Sequence, residues 1–354
     1  MGKKKITLKD IAKEVGVSAA SVSMVLSGKN LNRFTTSTIE SIYETTKRFG
    51  YVQPSKSRGN PLILIVCPSV INPYYATIIQ GMESEALDQH LDTLIITTYW
   101  DVEKEKKVAQ YASMPRVSGV IFAMIPQQPH LIAPLHKKLP IVAVGDKQNN
   151  LGIDTVDVNN FEAGYMVGKH LMELGHHHVA YVSTSLNREH SARVRRLEGL
   201  KKAYHESFPK EDVSIFSSDV TSLQELRILN IEHITGYKLT QKILKEHPEI
   251  TAIVAINDMV AYGVIHAIQE ANLPIPSHIS VSGFDNIYPS QYNSIPLTTV
   301  EHSILQRGKS AVRLMANKIR KIAVDEADSG AVTRVEYMSR LIMRDSTGKV
   351  RSEE

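Results

Sequence analysis

Apolar positions follow two periods along this chain. From Leu8 to Leu26 they recur every three or four residues, and from Leu62 onward they gather in short β-rich runs between amphipathic stretches. In the first region Leu8, Ile11, Ala12 and Val15 form one helical face, capped by Thr7 and with Asp10 near its positive end. Gly16 tolerates the backbone angles of a tight turn. Ser18 caps a second helix, from which Val22, Val25 and Leu26 point inward while Ala19, Ala20, Ser21 and Met24 point outward. A third helix is expected to start at Ser37, with Glu40 at capping-box spacing, to bury Ile39, Ile42, Tyr43 and Phe49, and to end at Gly50. Two short helices across a tight turn are the plan of a helix-turn-helix, whose second helix lies in the DNA major groove.

Further along, runs at 62–67, 93–98, 119–123, 141–144, 179–183, 252–256 and 279–284 read as strands, with helices at 75–89, 161–174 and 260–271 between them. Strand and helix in alternation predict parallel sheets covered on both faces. So many strands exceed one sheet and predict two Rossmann-like lobes, broken near Val158-Asn159.

Charge sharpens the division. Residues 1–60 hold eleven Lys or Arg against four Asp or Glu, a net of +7; the whole 354-residue chain is +4, so the remainder carries −3. A basic head on a mildly acidic body predicts that the head meets phosphates. The lone cysteine, Cys67, sits in an apolar run and is expected to be a small buried hydrophobe. No apolar run is long enough to span a bilayer, and the basic start is not followed by a signal-peptide core, so a cytoplasmic protein of bacterial type, nucleoid-associated when on DNA, is expected.

In open α/β sheets ligands bind beyond the carboxyl ends of the strands. Residues there are Asn72, Tyr74 and Tyr75; Tyr99, Trp100 and Asp101; Asp146 and Lys147; Ser191, Arg193 and Arg196; Asn257 and Asp258; and Asp285. Aromatic faces with Asp, Asn and Arg suit a small polar ring, which they stack on and hydrogen-bond. His302 is counted with this set. Adjacent residues of a strand point to opposite faces, so His176-His177-His178 does not make a metal site. Neither a nucleophile–base–acid set nor a Gly-rich phosphate loop is present, and no enzyme, cofactor or metal is expected.

The residues Thr7, Asp10, Ile11, Ala12, Gly16, Val17, Ser18, Val22, Ser23, Val25, Leu26 and Gly28, followed by Phe49-Gly50-Tyr51, resemble the headpiece of the LacI/GalR family. The resemblance runs over residues 5–345, through Asn72-Pro73-Tyr74-Tyr75, Asp157-Val158-Asn159-Asn160, Asn257-Asp258-Met259, Gly283-Phe284-Asp285-Asn286 and Pro296-Leu297-Thr298-Thr299-Val300. It implies an N-terminal all-α helix-turn-helix headpiece (1–53), a linker (54–61) and an α/β periplasmic-binding-protein-like effector domain of two Rossmann-like lobes (62–345), then a C-terminal tail (346–354). Lobe 1 would comprise 62–159 and 294–324, and lobe 2 160–293 and 325–345, with the later crossings near Asn293 and Asp325. Arg196 and Asp285 match the pair that holds the effector in sugar- and purine-responsive members, and Tyr75 matches an aromatic that stacks on it. Val220 stands where members often carry an aromatic, and Lys147 also departs from the pattern.

The same resemblance implies a homodimer on a near-palindromic double-stranded operator. The function it implies is that of a sequence-specific transcriptional repressor controlled by a small polar effector: a sugar, a sugar derivative or a nucleobase. The alternative is control by a phosphocarrier protein partner, as in the catabolite-control branch; retention of Arg196 and Asp285 favours the small molecule. No heptad repeat follows the domain, so a dimer and not a tetramer is expected. DNA contacts are assigned to Thr7, Ser18, Ala19, Ala20, Ser21, Ser23, Met24, Asn30, Asn32, Arg33, Tyr51, Lys56 and Arg58.

Family members usually carry a hinge helix whose leucine wedges into the minor groove and kinks the DNA. Here the link Gln53-Pro54-Ser55-Lys56-Ser57-Arg58-Gly59-Asn60-Pro61 is shorter, has no leucine and is bracketed by prolines. An operator phasing gel is therefore expected to show only weak bending. A strong bend that survives replacement of this link would overturn that expectation.

Overall fold

The computed structural model describes residues 6–26, 30–49, 51, 59–146, 152–187, 191–207, 213–323 and 330–351, in two units, Met1–Arg58 and Gly59–Glu354. In the first unit, α1 (Leu8–Val15), α2 (Ala19–Leu26) and α3 (Thr36–Arg48) close on a core of Ile11, Ala12, Val22, Val25 and Ile42. Asp10 accepts from both the amide and the hydroxyl of Thr7 (2.8 and 2.7 Å), and Gly16 ends α1 in the left-handed region (φ 76°). Ser18 Oγ accepts from the Ser21 amide at 3.0 Å.

Three expectations for this unit are corrected. The cap of α3 is Thr35, whose Oγ1 accepts from Thr38 N–H; Ser37 lies inside the first turn. Tyr43 is exposed because its hydroxyl reaches over to donate to the Val25 carbonyl (3.2 Å). Ala19 packs against the core and is not purely outward.

In the second unit, lobe 1 comprises β1 (Leu62–Cys67), α4 (Pro73–Asp88), β2 (Asp92–Thr97), α5 (Val102–Tyr111), β3 (Val117–Phe122), α6 (Pro129–His136), β4 (Ile141–Asp146) and β5 (Asp154–Val158). The chain then enters lobe 2 for α7 (Asn160–Glu173), β6 (Val179–Ser183), α8 (Ser191–Ser207), β7 (Ser214–Ser217), α9 (Ser222–Arg227), α10 (Ile231–Glu246), β8 (Ala252–Ala255), α11 (Asp258–Glu270), β9 (Ser280–Asp285) and β10 (Thr298–Glu301). It returns to lobe 1 for α12 (Ile304–Ala323) and β11 (Arg334–Tyr337), and ends with β12 (Arg340–Ile342) in lobe 2. The sheets run β11-β5-β4-β3-β1-β2 and β12-β10-β9-β8-β6-β7, parallel except for β12 against β10. Helices on both faces explain the unbroken apolar run of β1: Ile63, Ile65 and Cys67 face one core cluster, and Leu64 and Val66 the other. Burial pushes the Cys67 thiol up to about 12, so it is inert filling.

The later crossings differ from those expected near Asn293 and Asp325. β10 pairs in parallel with β9 through Glu301↔Asp285, which keeps the chain in lobe 2 until 302–303. β11 pairs with β5 (Arg334↔Thr155), which keeps it in lobe 1 until 338–339. The segment from 346, expected as a tail, is knitted into lobe 2: Ser346 is fully buried, and its Oγ donates to the Val281 carbonyl (2.6 Å) while accepting from Thr298 N–H (2.8 Å). Among the described residues no helix is long and apolar enough to cross a membrane.

Helices α7 and α8 pack so closely that a Cβ on Gly164 would overlap the Arg196 carbonyl oxygen, and one on Gly199 the Phe161 carbonyl oxygen. Backbone cannot give way as a side-chain tip can, so this contact sets where α8 carries Arg196. Gly164→Val is expected to lower stability by about 1–3 kcal/mol or more. A thermal melt indistinguishable from that of the parent protein would refute the close packing.

Candidate functional site

Carboxyl ends of strands from both sheets line one cavity of about 170 Å³. From lobe 1, Asn72 caps α4 by accepting from Tyr74 N–H (2.9 Å), which leaves its amide to donate across to Glu232 of lobe 2 at 2.7 Å. Tyr74 and Tyr75 meet edge to face with ring centroids 5.0 Å apart. After β2 the chain takes two successive left-handed residues, Tyr99 (φ 52°) and Trp100 (φ 57°). The Trp100 carbonyl accepts from Ser222 Oγ of lobe 2 at 3.0 Å.

From lobe 2, the guanidinium of Arg196 is buried in a set of bonds that reaches every crossing. Its Nε donates to Asn160 Oδ1 (2.9 Å), Nη1 to the Ile256 carbonyl (2.5 Å), and Nη2 to Asp285 Oδ1 (3.1 Å) and His302 Nε2 (3.2 Å). Asn160, at the first crossing, donates onward to Asp146 of lobe 1 (2.7 Å). His302, at the second, contacts Ser339 Oγ at the third through Nδ1 (3.0 Å). Because Nε2 accepts from an arginine, the ring is neutral and Nδ1 is the donor. Burial and then the charges of Arg196 and Arg307 hold its pKa well below the usual value. Asp285 itself sits at φ 108°, a conformation rare without a structural reason, and burial pushes its carboxyl up to about 6 even beside Arg196.

Of the residues expected at a ligand site, Asn72, Tyr74, Tyr75, Trp100, Asp146, Ser191, Arg193, Arg196, Asn257 and Asp285 line this cavity. Three do not. Asp258 turns into lobe 2, accepting from Ile287 N–H (3.0 Å), Ser290 Oγ (2.6 Å) and Thr299 Oγ1 (2.6 Å). His302 lies behind Arg196 as described. Val220 is held by its backbone, which exchanges hydrogen bonds with Ser185 Oγ, and the wall beside it is built by α9 and the residues leading into α10. Lys147 lies outside the described residues.

The cavity also contains groups that strand ends do not reveal. Glu232, on α10, accepts from Asn257 Nδ2 (2.9 Å) as well as from Asn72, and so bridges the lobes, with Arg193 3.9 Å away. Glu225, on α9, is raised to about 7 by burial and then by the charge of Glu232. Arg307 comes from the first turn of α12. These three sit on helices, where the rule used for strand ends is silent; Asn160 lay within a quoted motif but carried no ligand signal.

In the headpiece, Ala20 is exposed on α2, and Ser21, Ser23 and Met24 are partly buried. Asn32 and Arg33 lie exposed on a short turn of 3-10 helix that follows Asn30 (φ 53°), and Thr7 and Ser18 are exposed at the helix starts. Tyr51 packs on the headpiece core. Lys56 and Arg58 lie outside the described residues.

A family model described as periplasmic binding proteins and sugar binding domain of LacI family matches residues 60–342. The HTH-type transcriptional repressor PurR of Haemophilus influenzae (strain PittEE) is 29% identical over 355 residues, spanning 97% of this chain and 99% of the relative. Among solved structures, a LacI-family transcriptional regulator from Silicibacter pomeroyi superposes with a TM-score of 0.71 at 23% identity, covering 96% of this chain and 99% of that one. The lac repressor dimer bound to operator and the anti-inducer ONPF gives 0.68 at 22%, covering 98% and 100%.

The buried acids make stability depend on pH. Burial and then the charge of Asp285 raise Asp258 to about 7, outweighing its three hydrogen bonds. An unfolded aspartate titrates near 4, so the folded state keeps its proton where the unfolded state loses it. The resulting stability is fully present below pH ~4 and is lost as pH rises through about 7. Asp258→Asn is expected to flatten the decline in melting temperature over that window; an unchanged slope would show that this carboxyl does not cause it.

Proposed function

The chain belongs to the LacI family, and on that premise we propose that it is a DNA-binding repressor whose operator affinity is set by a small polar effector held between the two lobes. It is a regulator and not an enzyme, as its repressor relatives are. The observation that carries the effector reading is the Arg196 network. A buried guanidinium lines the cavity and at the same time bonds to residues at the second and, through His302, the third crossing.

An effector that displaces or tightens any of these bonds changes the relative energy of lobe arrangements, which is what population shift requires. Tyr74, Tyr75 and Trp100 offer faces for a ring, while Asp146, Asn257, Asp285 and Glu232 offer directional partners for hydroxyls or amides. Two copies would present two α2 helices to a near-palindromic site, with Ala20 toward base edges and Asn32 and Arg33 toward phosphates. Small side chains on α2 touch thymine methyls but make no bidentate contact with guanine.

The test is a thermal-shift screen of the full chain against sugars, sugar phosphates, nucleosides and bases, paired with operator gel shifts. A specific ligand at a hundredfold excess over its Kd should stabilise the protein by about 2.7 kcal/mol. Arg193→Ala should abolish the response, and the same ligand should change operator affinity. Silence across the panel from folded, dimeric protein would move control to a protein partner.

A further inference from the structure

Among the described residues three arginines line the cavity, and they are not equivalent. Arg196 has Asp285 at 3.1 Å and Arg193 has Glu232 at 3.9 Å. Arg307 is 2% exposed and ranks first among the large fully buried side chains. Its Nη1 donates to the Tyr74 hydroxyl (3.1 Å) and its Nη2 to the Gly145 carbonyl (3.3 Å), both neutral groups. Its Nε is buried with no hydrogen-bond partner among the described residues. Among the described residues no carboxylate lies within ion-pair distance of it. A buried cation hydrogen-bonded only to neutral acceptors, with its Nε left over, is an incomplete arrangement that costs free energy until a counter-charge arrives.

The rest of the cavity makes the arrangement directional. Among the described residues, Glu232, Glu225 and Asp285 line the cavity from lobe 2; from lobe 1 come Asp146, whose Oδ2 accepts from the Asn160 side-chain amide at 2.7 Å, and Arg307, which enters beside Tyr74. Arg307 is thus the cation of the lobe 1 wall, and it faces a lobe 2 wall that carries Glu232, Glu225 and Asp285. Its volume, about 170 Å³, is of the size that admits a single ring, since a cavity of about 150 Å³ takes up benzene.

We propose that the effector carries one anionic group, a carboxylate or a phosphate, seated on Arg307, with its hydroxyls turned toward Glu232 and Asn257 of lobe 2. This rests on the effector reading above and narrows it from polar molecules in general to hydroxylated anions. A guanidinium meets either oxyanion with parallel donors; binding would give the spare Nε a partner and the buried charge its counter-ion.

The test titrates the full chain with three matched pairs: galacturonate against galactose, gluconate against glucose, and ribose 5-phosphate against ribose. At least one acid is expected to bind about tenfold or more tighter than its neutral counterpart, and the pair that responds tells carboxylate from phosphate. Arg307→Met should remove that preference, weakening the acid far more than its neutral partner. Arg307→Lys, which keeps the charge, should retain the preference in weakened form and serves if the methionine variant does not fold. The inference falls if no acid binds, if a neutral member binds as tightly as its acid, or if the preference survives Arg307→Met. A neutral sugar whose binding is lost in Arg193→Ala would sink the anionic seat while leaving the effector site intact.

Discussion

One buried guanidinium organises the effector unit. Arg196 cannot be left unpaired at that depth, so its donors must be met. They are met by Asn160, the Ile256 carbonyl, Asp285 and His302, which come from the first crossing, the end of β8, the end of β9 and the second crossing. The demand of a single side chain for partners thus draws together the points where the chain changes lobe. Glycines at the α7–α8 contact let α8 approach close enough to place it there.

The same requirement accounts for several departures from ordinary geometry. Asp285 takes a positive φ at a strand end, and Ser303, at the second crossing, takes φ 50°. Such residues persist where surrounding bonds over-determine them. His302 is held neutral because it lies against two arginines, which fixes its tautomer and points its remaining proton at Ser339. A polar network of this kind rigidifies only when every member is satisfied. Groups that line the cavity are therefore bonded to the crossings directly, without a relay through the hydrophobic cores.

A second tie between lobes comes from the segment joining β7 to α10. It brings Ser222 to the Trp100 carbonyl and Glu232 to Asn72. These bonds are partly buried and polar, so they exchange readily for bonds to a ligand. The contrast with the Arg196 network is one of depth: the buried set holds the crossings, and the part-buried set ties the lobes beside it.

Much of this was legible in the residues. The headpiece helices follow from a period of three to four and from caps at Thr7 and Ser18, and the seven strands called from apolar runs all exist, because local pattern and burial agree there. Strands β5, β7, β10, β11 and β12 were not legible. They are short, and β5 buries Asp154 and Asp157, which find Lys318, Thr155 and the Thr333 amide only after folding. The strand-end rule brought ten residues to one cavity but could not find Glu232, Glu225 or Arg307, because helices deliver those from distant parts of the chain. The sequence by itself determined which segments are helix or strand and which strand ends carry polar chemistry, since those are local properties of spacing and side-chain type. Only the tertiary structure decided which polar groups are paired, where the chain changes lobe, and that among the described residues Arg307 has no carboxylate within ion-pair distance, since each depends on what folding brings beside it, for Arg307 from more than a hundred residues away.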